Sequence, residues 1–243
     1  MNSTAPRQRA QQGLLGVGGI PYEHAEELNK LATLRGYTTT PLVNLPASKE
    51  EVLAADAAVQ SGGNTLLIGS NATKSGFARS NLEQHSIIHL AVHGFADEKH
   101  PDRAALIFLS DSQSTDDGIL EAGEIVRLHT NADLVVLPAC DTAVGSLQGE
   151  EGIANLSLAF LLSGSKTVVS TLWTIDDTST LYLMKRFYAH LSEGNTAAFA
   201  LTAAKRDMLK TYGAQAVPYY WASFRLEGLG DRPVRIKKSI PTN

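Results

Sequence analysis

Short runs of apolar residues, many of them β-branched, alternate with amphipathic segments along the whole chain. The runs of strand length lie at residues 14–17, 65–68, 86–92, 104–109, 132–139 and 167–173. Several of them are apolar at every position, which is typical of strands whose two faces are both covered. The sequence therefore predicts a mostly parallel central sheet between two layers of helices, a three-layer α/β/α sandwich.

Helices are predicted where apolar residues recur at helical spacing between these runs. The predicted helices cover residues 22–35, 48–62, 121–128, 150–162, 177–191 and 196–211. Ser48 and Glu51 have the spacing of a capping box, and Gly62 is a typical helix end. Since no linker or composition break divides the chain, we expect one domain at 14–230. A poorly ordered segment at 1–13 and a tail at 231–243 complete the chain.

Charge and cysteine content exclude several classes of protein. The 21 Lys and Arg residues and 25 Asp and Glu residues give a net charge of −4, so no attraction to nucleic acid or an anionic membrane surface is expected. The polar N-terminus does not resemble a secretory leader, and the longest uncharged run, 152–165, is too short for a membrane span. We therefore expect a cytoplasmic protein. A single cysteine, Cys140, excludes disulfides and cysteine-rich zinc modules.

Two predicted strands end in reactive side chains. His93 follows the strand at 86–92, and Cys140 follows the strand at 132–139. Catalytic groups gather at the carboxyl ends of strands in open α/β sheets. If the two strands are neighbours, the imidazole lies within reach of the thiol, as nucleophilic catalysis requires. The alternative is that Cys140 is a buried residue of the core.

The segments around His93 and Cys140 resemble the CHAT domain family. These caspase-like cysteine peptidase domains of bacteria are often found beside tetratricopeptide repeats, and their relatives include caspases, gingipains and separase. The resemblance is carried by the runs IIHLAVHG, ADLVVLPACDTAVG and LWTIDD, and it extends over residues 42–228. The order of the pair and its separation of 47 residues also match the caspase pattern, whereas the residues next to the cysteine differ from it.

The resemblance implies a cysteine endopeptidase that uses neither a metal nor an organic cofactor. Cys140 would attack a peptide carbonyl to form an acyl-enzyme, and His93 would act as general base or acid. The backbone N–H groups of Gly94 and Cys140 would form the oxyanion hole. The implied partners are a protein or peptide substrate and a tetratricopeptide-repeat or other sensor protein, with no nucleic acid and no membrane.

Substrate binding is assigned by the same resemblance to Trp173, Asp176, Asp177 and Asp141. Separase has a segment similar to 172–177 that supplies a carboxylate to a P1 arginine, which implies that Asp176 or Asp177 lines the S1 pocket. Metacaspases use an Asp two positions before the cysteine, but this chain has Pro138 there. The residues alone favour another interpretation of the carboxylates, in which Asp176, Asp177 or Thr178 caps the next helix. Trp173 fits a place in the core as well as a groove wall.

Other interpretations of the sequence concern a zinc site, a nucleotide binder and a signalling module. His85, His89 and His93 recur every four residues, but on a strand His89 and His93 would be about 13 Å apart, too far to share a zinc ion. His89 is therefore expected to be a buried structural residue. A flavodoxin-like nucleotide binder fits the fold but lacks a phosphate loop. The main alternative to a peptidase is a non-catalytic or partner-gated signalling module with a caspase fold.

Overall fold

A central sheet carries the strands predicted from the apolar runs. The computed structural model describes residues 12–95, 104–111, 114–138 and 150–236. Its strands are β1 (Gln12–Gly18), β2 (Thr65–Ile68), β3 (His85–Leu90), β4 (Gly94–Phe95), β5 (Ala105–Ile107), β6 (Ile119–Glu121), β7 (Leu134–Leu137), β8 (Thr167–Thr171) and β9 (Phe224–Gly228). Six of them form a sheet in the order β2-β1-β3-β7-β8-β9. The first five are parallel, and β9 is antiparallel to β8.

The strand predicted at 104–109 does not join this sheet. It forms β5, the middle strand of a separate antiparallel sheet with the order β4-β5-β6. The prediction of its strand character was correct, but its place among the parallel strands was wrong. An apolar run of this length fits a buried strand in either type of sheet, so it does not define the direction of pairing.

Helices cover both faces of the central sheet, as predicted. They are α1 (Glu26–Leu34), α2 (Ser48–Val59), α3 (Lys74–Ala78), α4 (Ala122–Ile125), α5 (Glu150–Leu162), α6 (Asp177–Ser192), α7 (Ala197–Tyr212) and α8 (Pro218–Trp221). Helices α2, α6 and α7 contribute to the core on one face, and α1, α3, α4 and α5 contribute to the core on the other. The three-layer α/β/α sandwich is therefore confirmed.

Three predicted details of the helices are wrong. Ala47 precedes α2 and no side chain caps it, so Ser48 is the first helical residue. The Ser48 hydroxyl instead accepts a hydrogen bond from the Gly19 N–H and donates one to the Leu45 carbonyl. The helix ends at Val59, before Gln60 in the left-handed region, rather than at Gly62. The helix predicted at 22–35 is divided into a short 3-10 turn and α1 at residue 25.

Strand β3 separates the two cores, because its side chains alternate between them. Ile88 and Leu90 belong to the core beside α1, α4 and α5, whereas Ile87 belongs to the core beside α2 and α6. His89 points to the same face as Ile87, where its Nδ1 lies 2.8 Å from the Tyr188 hydroxyl. Its Nε2 lies 3.2 Å from a carboxylate oxygen of Glu51, and both groups are buried. His89 is thus a buried residue that links the sheet to α2 and α6.

The segment that follows β9 is attached to the amino end of the sheet. Both carboxylate oxygens of Asp133 accept hydrogen bonds from Arg235, and Lys166 donates to one of them. Pro233 forms a β-bridge with Thr196, and Val234 and Ile236 pack against the core. Within the described ranges, no helix is both long enough and apolar enough to cross a bilayer.

Candidate active site

His93 lies just beyond the carboxyl end of β3, next to the strand that leads toward Cys140. Strands β3 and β7 are direct neighbours in the sheet, and they pair Ile87 with Leu134 and His89 with Val136. Every pair in this register is separated by 47 residues in the sequence. The same separation divides His93 from Cys140. Cys140 and Asp141 themselves lie outside the described residues.

The His93 imidazole is buried and is held by a backbone carbonyl. Its side chain is 1% exposed, and Nε2 lies 2.8 Å from the carbonyl oxygen of Val43. A carbonyl oxygen can only accept, so this contact requires that Nε2 carry the hydrogen. In the neutral ring, Nδ1 is then the nitrogen with the lone pair.

Tyr22 holds both the ring and the backbone of His93. The two rings pack with their centroids 4.5 Å apart. The Tyr22 hydroxyl accepts a hydrogen bond from the His93 N–H at 3.1 Å and donates one to the Ile107 carbonyl at 2.7 Å. Burial strongly raises the pKa of the Tyr22 phenol, although its hydrogen bond with the His93 backbone opposes that shift. The phenol therefore stays protonated and keeps both bonds at ordinary pH.

Gly94 directs its backbone N–H away from strand β5, although the residue is buried. The Ile107 N–H donates to the His93 carbonyl at 2.8 Å, and Gly94 faces Leu106 in the register of β4 and β5. This pattern makes Gly94 and Leu106 a non-hydrogen-bonded pair, in which the N–H points away from the partner strand. Strand β4 is the edge strand of its sheet. The Gly94 N–H is thus directed away from β5, immediately after His93.

The loop that carries Val43 also contacts Asp177, one of the carboxylates predicted to bind substrate. We refer to residues 42–47 as the clamp loop. At one end, the Val43 carbonyl accepts from His93, and at the other end the Ala47 N–H lies 3.3 Å from a carboxylate oxygen of Asp177. Asp177 is the first residue of α6 and is half-buried. The clamp loop therefore contacts both the imidazole and a candidate S1 carboxylate.

Asp176 has the capping role that the residues alone suggested. Its carboxylate accepts the Ser179 N–H at 2.9 Å and caps the start of α6, and its side chain is exposed. An N-cap carboxylate satisfies a backbone donor that has no partner within the helix. The structure therefore separates the two neighbouring carboxylates, since Asp176 is a helix cap and Asp177 faces the clamp loop.

Trp173 joins the loop after β8 to α8. Strand β8 ends at Thr171, so Trp173 lies beyond the strand to which it was predicted to belong. Its indole N–H donates to the Tyr219 carbonyl at 2.9 Å, and the Tyr219 hydroxyl donates to the Thr174 carbonyl at 2.7 Å. The two rings stack with their centroids 6.4 Å apart. Trp173 is half-buried, with one side against the core beside α6.

The sequence alone did not identify Tyr22, Val43 or Tyr219 as parts of this site. Tyr22 was assigned to the start of a helix, and its wide separation from His93 left no local pattern. Val43 contributes only a carbonyl group, and its side chain is 57% exposed. A backbone contact of this kind leaves no residue-type signal. Tyr219 lies in the segment 218–228, whose sequence suggested no role.

Charged groups elsewhere are paired with one another. A cavity of about 410 Å³ is lined by Lys74, Asp117 and Glu124, and the lysine contacts both carboxylates. A cavity of about 370 Å³ is lined by Asp133, Lys166 and Arg235, which form the ion pairs described above. Within the part of the chain that the structure describes, no three His, Cys, Asp or Glu side chains are arranged to hold a metal ion.

Two curated proteins have a region that is similar in sequence to this chain. The chain is 28% identical over 120 residues to tetratricopeptide repeat protein 28 of Mus musculus and to the same protein of Homo sapiens. The matched region covers 49% of this chain but only 5% of the length of either relative. The chain thus spans a small fraction of the curated relatives that it matches.

Solved structures show the same fold at low sequence identity. The Arg-specific cysteine proteinase gingipain R aligns with a TM-score of 0.58 at 8% identity, over 95% of this chain and 49% of that chain. The complex of the pro- and mature domains of gingipain from Porphyromonas gingivalis aligns with a TM-score of 0.54 at 9% identity, over 94% and 49%. The family model of the CHAT domain matches residues 2–229. The protein therefore belongs to the CHAT domain family.

Proposed function

We propose that this CHAT domain is a cysteine endopeptidase in which His93 and Cys140 form the catalytic dyad. The observation that carries the proposal is the register of β3 and β7, which pairs residues 47 positions apart. If that register continued for four more residues, His93 would stand opposite Cys140, and this continuation is part of the proposal. Neighbouring strands are about 4.8 Å apart, so side chains at opposed positions beyond the strand ends can meet.

The position of the Val43 carbonyl supports a definite assignment of the two imidazole nitrogens. With Nε2–H donating to Val43, Nδ1 takes the proton from the Cys140 thiol. The Val43 carbonyl also stabilises the imidazolium that forms, because a hydrogen bond from a charged donor is stronger than one from a neutral donor. The thiolate then attacks the peptide carbonyl carbon and forms a carbon–sulfur bond.

The negative charge of the tetrahedral intermediate is accepted by the N–H groups of Gly94 and Cys140. The direction of the Gly94 N–H, away from β5, supports this role. The lack of a Cβ allows the backbone to approach the oxyanion. The carbon–nitrogen bond breaks as the imidazolium at His93 donates its Nδ1 proton to the leaving amine. Water, deprotonated by the same nitrogen, then hydrolyses the thioester and restores the thiol.

We assign the S1 carboxylate to Asp177 rather than to Asp176. The Asp176 carboxylate is occupied by its helix cap, whereas Asp177 contacts the clamp loop, which also contacts His93. The stacked rings of Trp173 and Tyr219 form one wall of the substrate groove. Asp141, the residue after the nucleophile, is also assigned to substrate binding. A carboxylate in this pocket favours substrates with Arg or Lys at P1. The proposed location is the cytoplasm, where glutathione and thioredoxin keep thiols reduced.

A partner-gated or non-catalytic signalling module is the second candidate. The observation that favours it is the match to a short part of proteins whose name records tetratricopeptide repeats. In this version of the proposal, a repeat-containing sensor protein binds the CHAT domain and controls the site. The two candidates differ in whether the isolated chain cleaves peptides when no partner is present.

The test is covalent labelling of the isolated protein with a thiol-reactive peptide probe that carries Arg at P1. We expect labelling of the wild type, loss of labelling in Cys140→Ala, and a large fall in His93→Ala. His24→Ala is the matched control, because His24 is exposed and belongs to none of the contacts described at the site. Equal labelling rates in the wild type and His93→Ala would refute the dyad. Labelling that appears only with a repeat-protein partner would support the gated module.

A further inference from the structure

A single amide side chain on α1 joins the two segments that hold the His93 imidazole. The Asn29 amide nitrogen donates to the Tyr22 carbonyl at 2.8 Å and to the Ala25 carbonyl at 3.1 Å. Its amide oxygen accepts the Leu42 N–H at 2.5 Å. Tyr22 packs against the imidazole, and Leu42 precedes the residue whose carbonyl holds Nε2. Asn29 thus connects the backbone on both sides of the ring.

We propose that Asn29 is a positioning residue for His93, because it ties the backbone of Tyr22 to the clamp loop and so fixes the tautomer and orientation of the imidazole. The relevance of this role to catalysis rests on the proposed peptidase function. The role itself concerns the geometry of His93 and can be tested whether or not the protein cleaves peptides.

The position of Asn29 within a helix supports a role in tertiary structure. Asn has a low helix propensity, since its amide competes for backbone hydrogen bonds. Asn29 nevertheless lies in the first half of α1, on a helix of nine residues. Its side chain is half-buried and makes three hydrogen bonds, one of them to a residue 13 positions away. The clamp loop has little regular structure of its own, so its position depends on such contacts.

Contacts at the rest of the clamp loop indicate why the Asn29 contact matters most for Val43. Asn44 exchanges hydrogen bonds with Glu23, but this pair is exposed. The hydroxyl of Ser48 donates to the Leu45 carbonyl, and Asp177 accepts the Ala47 N–H, so both bonds lie on the far side of Val43. On the near side, the Leu42 side chain packs in the core and its N–H donates to Asn29. Loss of that hydrogen bond would loosen the backbone immediately before the Val43 carbonyl.

The test compares Asn29→Ala with the matched control Asn64→Ala. Asn64 also makes three side-chain hydrogen bonds, to the Leu14 N–H and to Asp56, but it touches neither Tyr22 nor the clamp loop. The first readout is the ¹⁵N chemical shifts of the histidine rings in the full chain, with the His93 signals identified by their absence in His93→Gln. We expect one Nε2–H tautomer in the wild type and in Asn64→Ala, and a mixture of tautomers in Asn29→Ala.

The second readout is peptide cleavage across a range of pH. We expect kcat/KM to fall about 10- to 100-fold in Asn29→Ala, which is the size of effect that a misplaced catalytic group produces. Asn29→Asp keeps the acceptor for the Leu42 N–H but loses the donor to the Tyr22 and Ala25 carbonyls, because a carboxylate only accepts, so it too is expected to give a mixture of tautomers. If Asn29→Ala fails to fold, Asn29→Ser, which also lacks the amide, takes its place with the same expected results.

The outcomes separate this proposal from the peptidase function. A single Nε2–H tautomer in Asn29→Ala, or a tautomer mixture in Asn64→Ala equal to that in Asn29→Ala, would overturn the positioning role. Labelling of Cys140 that does not depend on His93 would overturn the peptidase function, whereas the tautomer measurement would still decide the role of Asn29.

Discussion

The imidazole Nε2 of His93 lies 2.8 Å from the backbone carbonyl of Val43, a residue 50 positions earlier in the chain. This contact determines which nitrogen of the ring carries the hydrogen, and Val43 contributes only its backbone carbonyl to it. Replacement of the exposed Val43 side chain should therefore leave the site intact. We expect Val43→Ala to change the free energy of unfolding by about 0.5 kcal/mol or less, with kcat/KM within a factor of two or so. Urea denaturation and peptide cleavage check both values.

Removal of the Tyr22 hydroxyl should destabilise the fold. In Tyr22→Phe, the His93 N–H and the Ile107 carbonyl lose a buried partner, whereas the ring that packs on the imidazole remains. Buried polar groups without a partner cost about 1–3 kcal/mol. We expect a loss of that size in the free energy of unfolding, measured by urea denaturation. Tyr212→Phe is the control, because Tyr212 is partly exposed on α7. Equal stabilities of the two variants would show that the Tyr22 hydroxyl contributes nothing.

The buried pair of Glu51 and His89 should be much more sensitive than its exposed neighbour. In Glu51→Ala, the buried His89 loses the carboxylate that lies 3.2 Å from its Nε2, and a buried polar group left without a partner costs about 1–3 kcal/mol. Glu50 is the adjacent residue on the same helix and forms an exposed ion pair with Lys185. Exposed pairs contribute about 0–1 kcal/mol, so Glu50→Ala should change stability little. Thermal or urea denaturation of both variants measures the contrast, which disappears if His89 and Glu51 do not interact.

The carboxylates of Asp176 and Asp177, at the start of α6, should affect different properties. Asp176→Ala removes the helix cap and should lower the free energy of unfolding by about 1 kcal/mol. Asp177→Asn should leave stability almost unchanged. It should lower kcat/KM for substrates with Arg at P1 by about 10- to 100-fold, the equivalent of one charged hydrogen bond. Cleavage of paired substrates with Arg or Ala at P1 provides the comparison. A similar loss for both substrates would remove Asp177 from the S1 pocket.

The contribution of Asp133 to stability should depend on pH. Desolvation raises the pKa of this carboxyl, but hydrogen bonds from Arg235 and Lys166 outweigh it, so the pKa lies below its ordinary value of 3.8. A carboxyl with a depressed pKa stabilises the folded state above the unfolded pKa, and this stabilisation is lost as the pH falls through the folded pKa. Asp133→Asn should therefore be less stable than the wild type at pH 7.

The difference between Asp133→Asn and the wild type should shrink below about pH 4, as the wild-type carboxyl becomes protonated. Urea denaturation at a series of pH values measures it, and Asp231→Asn, on an exposed turn, is the control. A constant difference across the whole range would mean that the ion pairs with Arg235 and Lys166 contribute no stability.

The sequence was most informative where chemistry and periodicity coincide in one short segment. The all-apolar runs predicted the parallel strands, and the position of His93 after β3 was predicted from the strand that precedes it. Sequence reasoning failed where a contact depends on distant backbone, as with Val43, or where two patterns are compatible with the same residues. Ser48 and Glu51 match a capping box, yet both side chains are buried because they lie on the inner face of α2, whereas Lys49 and Glu50 between them are exposed. The direction of β5 and β9 depends on pairing partners, which a local pattern does not specify.

The position of β1 has a consequence for how such domains are delimited. The recognisable motifs extend over residues 42–228, but β1 lies between β2 and β3 and carries the chain to Tyr22 and Asn29. A fragment cut at the first motif would contain both His93 and Cys140 and would still lack an interior strand of the sheet. Removal of an interior strand exposes two unpaired edges, which promote aggregation. Motif boundaries are therefore a poor guide to the smallest autonomous folding unit, and the residues before position 42 belong in any version of this domain that is tested for activity.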